Sequence, residues 1–217
     1  MAGTAVRKSE AGSETPADTA PGRRERNKLQ KRQRIVMAAR ELFQRQGFAD
    51  TTTQQIAAAA DIGTGTLFLY AKSKEDLLVM VFKDEMLATV RAIYASLPEA
   101  ATPAEKLMSV FGQMADYHAR DAELSRVLLR ELVTPSSSER IGEISELMDA
   151  IFGGLTGIVA SGMPDEGGNA ALIARSAFAL YYFQLISWLG GAFDRTRCMH
   201  LLRDQLAHLM SREASHD

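Results

Sequence analysis

Residues 51–78 read TTTQQIAAAADIGTGTLFLYAKSKEDLL. Two helix starts bracket this stretch. Thr52 stands three residues before Gln55, and Ser73 three before Asp76. In that pattern the hydroxyl and the acidic or amide side chain satisfy each other's otherwise unpaired backbone amides. The spacing predicts one helix opening near Thr53 and another after Ser73. Between them, Asp61-Ile62-Gly63 predicts a tight turn: Asp61 tolerates a left-handed backbone, Ile62 is an apolar plug, and Gly63 adds freedom. Residues 64–70 then resume as a short helix with Leu67 turned inward. Two short helices across a tight turn, packed on a longer one, make a helix-turn-helix.

The longer helix is expected over about residues 26–46, where Ile35, Ala39, Leu42 and Phe43 share a face. Gly47 follows as a left-handed cap, and Phe48 folds back as its apolar contact. Within the second short helix, Gly65 has no Cβ to collide with a base edge or sugar. Thr64 and Thr66 offer hydroxyls and methyls suited to phosphates, base acceptors and thymine methyls. Tyr70 can donate to a phosphate. Lys72 and Lys74 place cations at a helix start, against the macrodipole, and phosphate supplies a reason for them.

Charge is divided the same way. Residues 1–74 hold 13 Lys/Arg against 7 Asp/Glu, and residues 75–217 hold 12 against 20, within a total of −2. Seven of the twelve residues RRERNKLQKRQR (23–34) are basic. A basic head on an acidic body points to polyanion binding confined to the head. A charge run of this kind is equally compatible, taken alone, with a solvated helix face.

The ordered set AREL F (39–43), Gly47-Phe48, Thr51-Thr52, Ile56-Ala57, Gly65-Thr66-Leu67-Phe68, Tyr70 and SKEDLL (73–78) resembles the DNA-binding head of the TetR family of bacterial transcriptional regulators. The resemblance covers about residues 30–78 and implies a homodimer whose C-terminal helices form the subunit interface and enclose a small-molecule pocket. It implies DNA contacts at Thr52, Thr53, Thr64, Gly65, Thr66, Phe68, Leu69, Tyr70 and Lys74. Four positions depart from the family pattern: Asp61 where glycine is usual, Gly63 where a capping serine is common, Ala71 in place of an aromatic residue, and Leu69 in place of a polar or aromatic phosphate contact.

Strand-like alternation is hard to find, so the expected fold is all-α with about nine helices. A tail (1–25) expected to lack structure precedes the helix-turn-helix domain (26–74) and a ligand-binding and dimerisation domain (75–217). A long connecting helix runs to about Ser96. Five more are expected near residues 103–119, 122–133, 139–159, 169–189 and 195–211, separated by the breakers at 134–138, 162–168 and 190–191. On the fifth helix Met108, Phe111, Met114, Tyr117 and His118 form a stripe, joined by Met148 and Phe152 on the seventh and Phe178 and Tyr182 on the eighth. Ordinary core accounts for any one of these; together they suit an adaptable apolar cavity for a small apolar effector, with Tyr117 and His118 as polar fixing points.

For the interface, Leu180, Tyr181, Gln184, Leu185 and Trp188 on the eighth helix, with Leu202, Leu206 and Leu209 on the ninth, suit an isologous four-helix bundle. The lone Cys198 excludes an internal disulfide framework. It shares a helix with His200 and His208 without metal-site spacing, so no metal or cofactor is expected.

No nucleophile, phosphate-loop or catalytic signature is found, which points away from an enzyme. The uncharged run 176–193 approaches membrane-spanning length, but Gln184, Ser187, Gly190 and Gly191 suit burial in protein. The sequence reads as a cytoplasmic, ligand-responsive regulator of a palindromic double-stranded operator, most simply a repressor and with no membrane partner. A small-molecule carrier or enzyme with an incidentally basic N-terminus is the competing class.

Overall fold

The computed structural model describes residues 22–133, 138–162 and 169–213. Their elements are α1 (Arg23–Asp50), α2 (Thr53–Ala59), α3 (Thr64–Leu67), α4 (Lys74–Ser96), α5 (Pro103–Ala119), α6 (Ala122–Val133), α7 (Ser138–Ala160), α8 (Ala170–Leu189) and α9 (Arg195–Glu213). Among the described residues there is no strand. Residues 1–21 of the expected tail, and the breakers 134–137 and 163–168, lie outside the described residues. Arg23–Glu25, assigned to that tail, instead form the first turn of α1.

The head is pinned by local chemistry. Both capping boxes close: Gln55 N donates to Thr52 Oγ1 at 3.2 Å while Thr52 N donates to Gln55 Oε1 at 2.8 Å, and Asp76 N and Ser73 Oγ pair at 3.1 Å. A third box, Thr102 with Glu105, opens α5 ahead of Pro103. Gly47 breaks α1 with φ 82°, and Phe48 turns back onto Phe43 with ring centroids 5.3 Å apart. Asp61 takes φ 53°, the left-handed conformation for which glycine is the usual choice, and its short polar side chain makes that affordable. Gly63 stays extended at φ −70° and uses none of its extra freedom. Ile35, Ile56 and Leu67 are fully buried beneath these turns.

α4 is shared by head and body, packing against α1, α5, α6 and α7. Its side chains Leu77, Met86, Val90 and Ile93 are buried, each worth ~1.5–3 kcal/mol against exposure. Behind it α7 packs on α8, and α8 on α9. At the α4–α7 crossing a Cβ on Gly154 would fall 2.1 Å from the Tyr94 ring, whose hydroxyl donates to Ile151 O at 2.8 Å. Only glycine permits that approach. Arg126 Nε donates to Leu189 O at 2.6 Å, satisfying a carbonyl at the end of α8.

α8 is long and apolar enough to cross a membrane by length and composition. In the fold its buried face, including Ile173, Ala177, Tyr181 and Leu185, packs inside the body. The interface expectation is corrected here. Tyr181, Gln184, Leu185, Leu202 and Leu206 are buried within the chain, with Gln184 Nε2 donating to Gln205 Oε1 at 3.1 Å across α8 and α9. Side chains already enclosed by their own chain cannot meet a partner. Leu180, Trp188 and Leu209 are half-buried, and the apolar residues facing outward are Leu172, Phe183, Ile186 and Leu201.

Candidate nucleic-acid interface and ligand cavity

The nose of the head is α3. Gly65 is exposed, and a Cβ built on it would meet nothing within 4 Å. The glycine is therefore not there for internal packing. Phe68 is exposed and Leu69 is 77% exposed, while Thr64, Thr66 and Tyr70 are half-buried around them. Thr52 and Thr53 lie at the start of α2, with the Thr52 hydroxyl engaged in its cap.

The two lysines have reasons that periodicity did not suggest. Lys74 Nζ donates to Phe48 O at 2.6 Å and to Ala49 O at 3.1 Å, and sits 4.4 Å above the centre of the Phe48 ring. Lys72 Nζ donates to Phe68 O at 2.9 Å. Each cation thus satisfies carbonyls at the end of an earlier helix as well as lying at the head's edge. Along α1, Arg23, Arg24, Lys28 and Lys31 are exposed, whereas Arg32 is turned into the body.

Within the body lies a cavity of about 180 Å³ between α4, α5, α6, α7 and α8. Of the residues expected there, it brings together Met114, His118, Met148, Phe178 and Tyr182. Met108, Phe111 and Phe152 do not line it: Phe111 is stacked on Tyr181 at 4.7 Å, and Phe152 packs edge-on against Phe178 at 5.2 Å beneath Arg175. Their register is helical core. The wall also includes Phe82, Met86, Leu147 and Ile151. The Phe82–Met86 pair, an aromatic and a methionine one turn apart, carried the same signal as the α5 stripe but was read only as a connector.

Tyr117 instead lines a second cleft of about 290 Å³ on the head side, with Arg40, Phe43, Glu85, Arg120 and Ser125. Phe82 borders both spaces. Arg40 Nε lies 2.8 Å from Glu85, which accepts the Tyr117 hydroxyl at 2.5 Å, and Arg120 lies 5.6 Å from the Tyr117 ring centre. Burial and the adjacent Glu85 carboxylate push the Tyr117 phenol well above its ordinary range, so it stays a neutral donor.

His118 lines the cavity and its partner Ser125 lines the cleft. Ser125 Oγ donates to His118 O at 3.2 Å and pairs with His118 Nδ1 at 3.1 Å. Ser125 thus ties the ring through Nδ1 and leaves Nε2 as its other polar atom. Burial lowers the imidazole pKa to about 4, which keeps the ring neutral near pH 7. Ser125, a polar residue on the buried face of α6, was the sequence signal for this pair.

Residues 35–81 match the family "Bacterial regulatory proteins, tetR family". The head of the chain is therefore a TetR-type DNA-binding domain. It is 28% identical over 186 residues to the fatty acid metabolism regulator protein of Bacillus subtilis, covering 86% of this chain and 91% of that one. It is 27% identical over 162 residues to the transcriptional repressor KstR of Mycobacterium tuberculosis, covering 74% and 71%. Its fold is similar to that of Thermus thermophilus FadR, a TetR-family repressor in complex with lauroyl-CoA, at TM-score 0.65 and 25% identity, with 82% of this chain and 92% of that one covered. Bacillus subtilis FadR in complex with stearoyl-CoA superposes at TM-score 0.60 and 28% identity, covering 82% and 97%.

Proposed function

We propose that this chain is a cytoplasmic, homodimeric repressor of the TetR family whose operator is released when a long-chain acyl-CoA enters the body. The observation that carries the reading is an apolar cavity and an arginine-bearing cleft that share Phe82 in their walls. An acyl chain suits the methionine and aromatic wall, which adapts to an unbranched apolar guest. The phosphates of a CoA headgroup suit Arg40 and Arg120 at the cleft. The relatives seen with lauroyl-CoA and stearoyl-CoA support the same ligand class.

DNA binding is assigned to the head, residues 26–74, through Thr52, Thr53, Thr64, Gly65, Thr66, Phe68, Leu69, Tyr70 and Lys74. Residues 75–217 bind the effector and dimerise, with the outward apolar faces of α8 and α9 meeting their copies about a two-fold axis. Two recognition helices would then address half-sites about 34 Å apart or a multiple of that spacing. The relatives named as regulators and repressors support regulation as the role.

The test is the affinity for DNA from immediately upstream of its own gene, measured by fluorescence anisotropy over a salt series. Palmitoyl-CoA should weaken binding by roughly tenfold or more, a coupling of about 1.4 kcal/mol, while CoA alone leaves it unchanged. Each phosphate contact should add about −0.9 to the log–log salt slope. Salt-independent binding, or no response to any acyl-CoA, overturns the reading and favours a small-molecule carrier.

A further inference from the structure

α7 has two employments in its first four turns. Ile144, Leu147, Met148 and Ile151 line the cavity. Arg140, Glu143 and Glu146, interleaved with them, are bonded to the head and to α4. Arg140, only 4% exposed, bonds Asp76 through Nε at 2.8 Å and again through Nη2, and bonds Glu131 of α6 at 2.5 Å. Asp76 in turn accepts the backbone amides of Lys72 at 2.8 Å and Ser73 at 3.1 Å, which form the turn leaving α3. Glu143 accepts both Arg32 of α1, at 2.8 and 3.0 Å, and Lys83 of α4, at 2.8 Å. Lys83 also pairs with Glu146.

These pairs are built to persist. Burial works against the charge on Lys83 and Arg32, yet hydrogen bonds to Glu143 hold both above their ordinary values. Burial likewise opposes ionisation of Glu143, and the bonds from Lys83 and Arg32 more than offset it. Separating such a pair would strand an enclosed charge, which costs far more than sliding one apolar surface over another. An apolar contact between α7 and the head could absorb a displacement by slipping. Ion pairs at Asp76, Lys83 and Arg32 oblige the head to follow.

We infer that the N-terminal half of α7 is the lever that carries occupancy of the apolar cavity to the DNA-binding head, with Arg140–Asp76 and Glu143–Arg32/Lys83 as the latch. The inference rests on the cavity being the effector site. It places the decisive coupling on α7 and on enclosed charge.

The test reads the position of the head without needing an operator. Spin labels are placed at Leu69→Cys on the exposed head and Gln113→Cys on exposed α5, in a Cys198→Ala background. Labelled protein is diluted with unlabelled so that each distance lies within one chain. Filling the cavity from within by Met148→Trp, and separately adding palmitoyl-CoA, should each shift this distance by roughly 2 Å or more. With Glu143→Gln and Glu146→Gln together the shift should fall below about half, and Arg140→Met should abolish it.

An undiminished shift in the latch variants overturns the proposal, as does no shift on filling the cavity in the parent. A shift with Met148→Trp but not with palmitoyl-CoA leaves the lever standing and rejects the acyl-CoA effector. Met148→Phe replaces Met148→Trp if circular dichroism shows the latter unfolded.

Discussion

In the head, the tip of the face proposed to meet DNA points outward: Leu69 is 77% exposed and Gly65 has open space where a Cβ would stand. In the body the corresponding residues face inward. His118 is 3% exposed and its neighbours Met86 and Leu147 are 0% and 1%. A surface that meets a duplex needs small side chains and free backbone, whereas a pocket for an apolar guest needs bulk arranged around a void. The same substitution logic therefore runs in opposite directions. Adding atoms harms binding but not folding in the head, and harms folding first in the body.

Gly65→Val breaks the comparison most severely if it is wrong. The added Cβ stands in open space in the free protein, so helicity by circular dichroism and mass by sedimentation should match the parent. Operator affinity by anisotropy should fall by roughly 100-fold or more, about 3 kcal/mol, because a branched side chain holds α3 off the groove. Parent-like DNA binding would place the interface elsewhere.

Gly154→Ala is the body's counterpart. Its Cβ would sit 2.1 Å from the Tyr94 ring, and that ring is tethered to Ile151 O. Withdrawing the ring takes the Tyr94 hydroxyl from its acceptor, Ile151 O; keeping it forces α4 and α7 apart. Overpacking of this kind costs about 2 kcal/mol, read as a lower urea midpoint. An unchanged midpoint would mean that the crossing is looser than the contact implies.

These two glycines also mark what the sequence made legible. Local chemistry was readable: Thr52–Gln55 and Ser73–Asp76 fixed two helix starts to within a residue, and Gly47–Phe48 marked the kink in α1, which runs on to Asp50, because a cap is decided by side chains three or four positions apart. Gly154, lying among apolar residues of α7, gave no sign of Tyr94, 60 residues away in sequence. Nor did Arg140 announce Asp76 at a separation of 64. On α8 the apolar residues run nearly all round, so periodicity could not separate Tyr181 and Leu185, which face the core, from Phe183 and Ile186, which face out. The cavity was half visible for the same reason: a stripe shows which residues point inward but not where packing leaves a void.

His118 sharpens the contrast through pH. Its folded-state value of about 4 lies below the ordinary 6.5, so the unfolded chain binds more protons between those values. Its share of stability is complete above about pH 6.5 and is lost as pH falls toward 4, with a slope approaching ~1.4 kcal/mol per pH unit. Urea unfolding at a series of pH values should show this slope in the parent, and His118→Gln, which cannot titrate there, should reduce it. An identical slope in both proteins would mean that the imidazole is not held neutral by burial.

The smallest effect decides the most finely balanced residue. Lys74 satisfies two carbonyls at the end of α1 and covers the Phe48 ring, and the same ammonium lies at the edge of the face assigned to DNA. Lys74→Ala should lower stability by about 1 kcal/mol through the lost hydrogen bonds. If the ammonium also meets phosphate, DNA affinity falls for all sequences alike and the log–log salt slope drops by about one. Replacement by Gln separates the two, since a neutral amide can still donate to Phe48 O but releases no counterion. Recovered stability with the slope still reduced would assign Lys74 to both partners. A slope equal to the parent's in both variants would leave the lysine as a helix cap of the head and move the phosphate contacts to α1 and Tyr70.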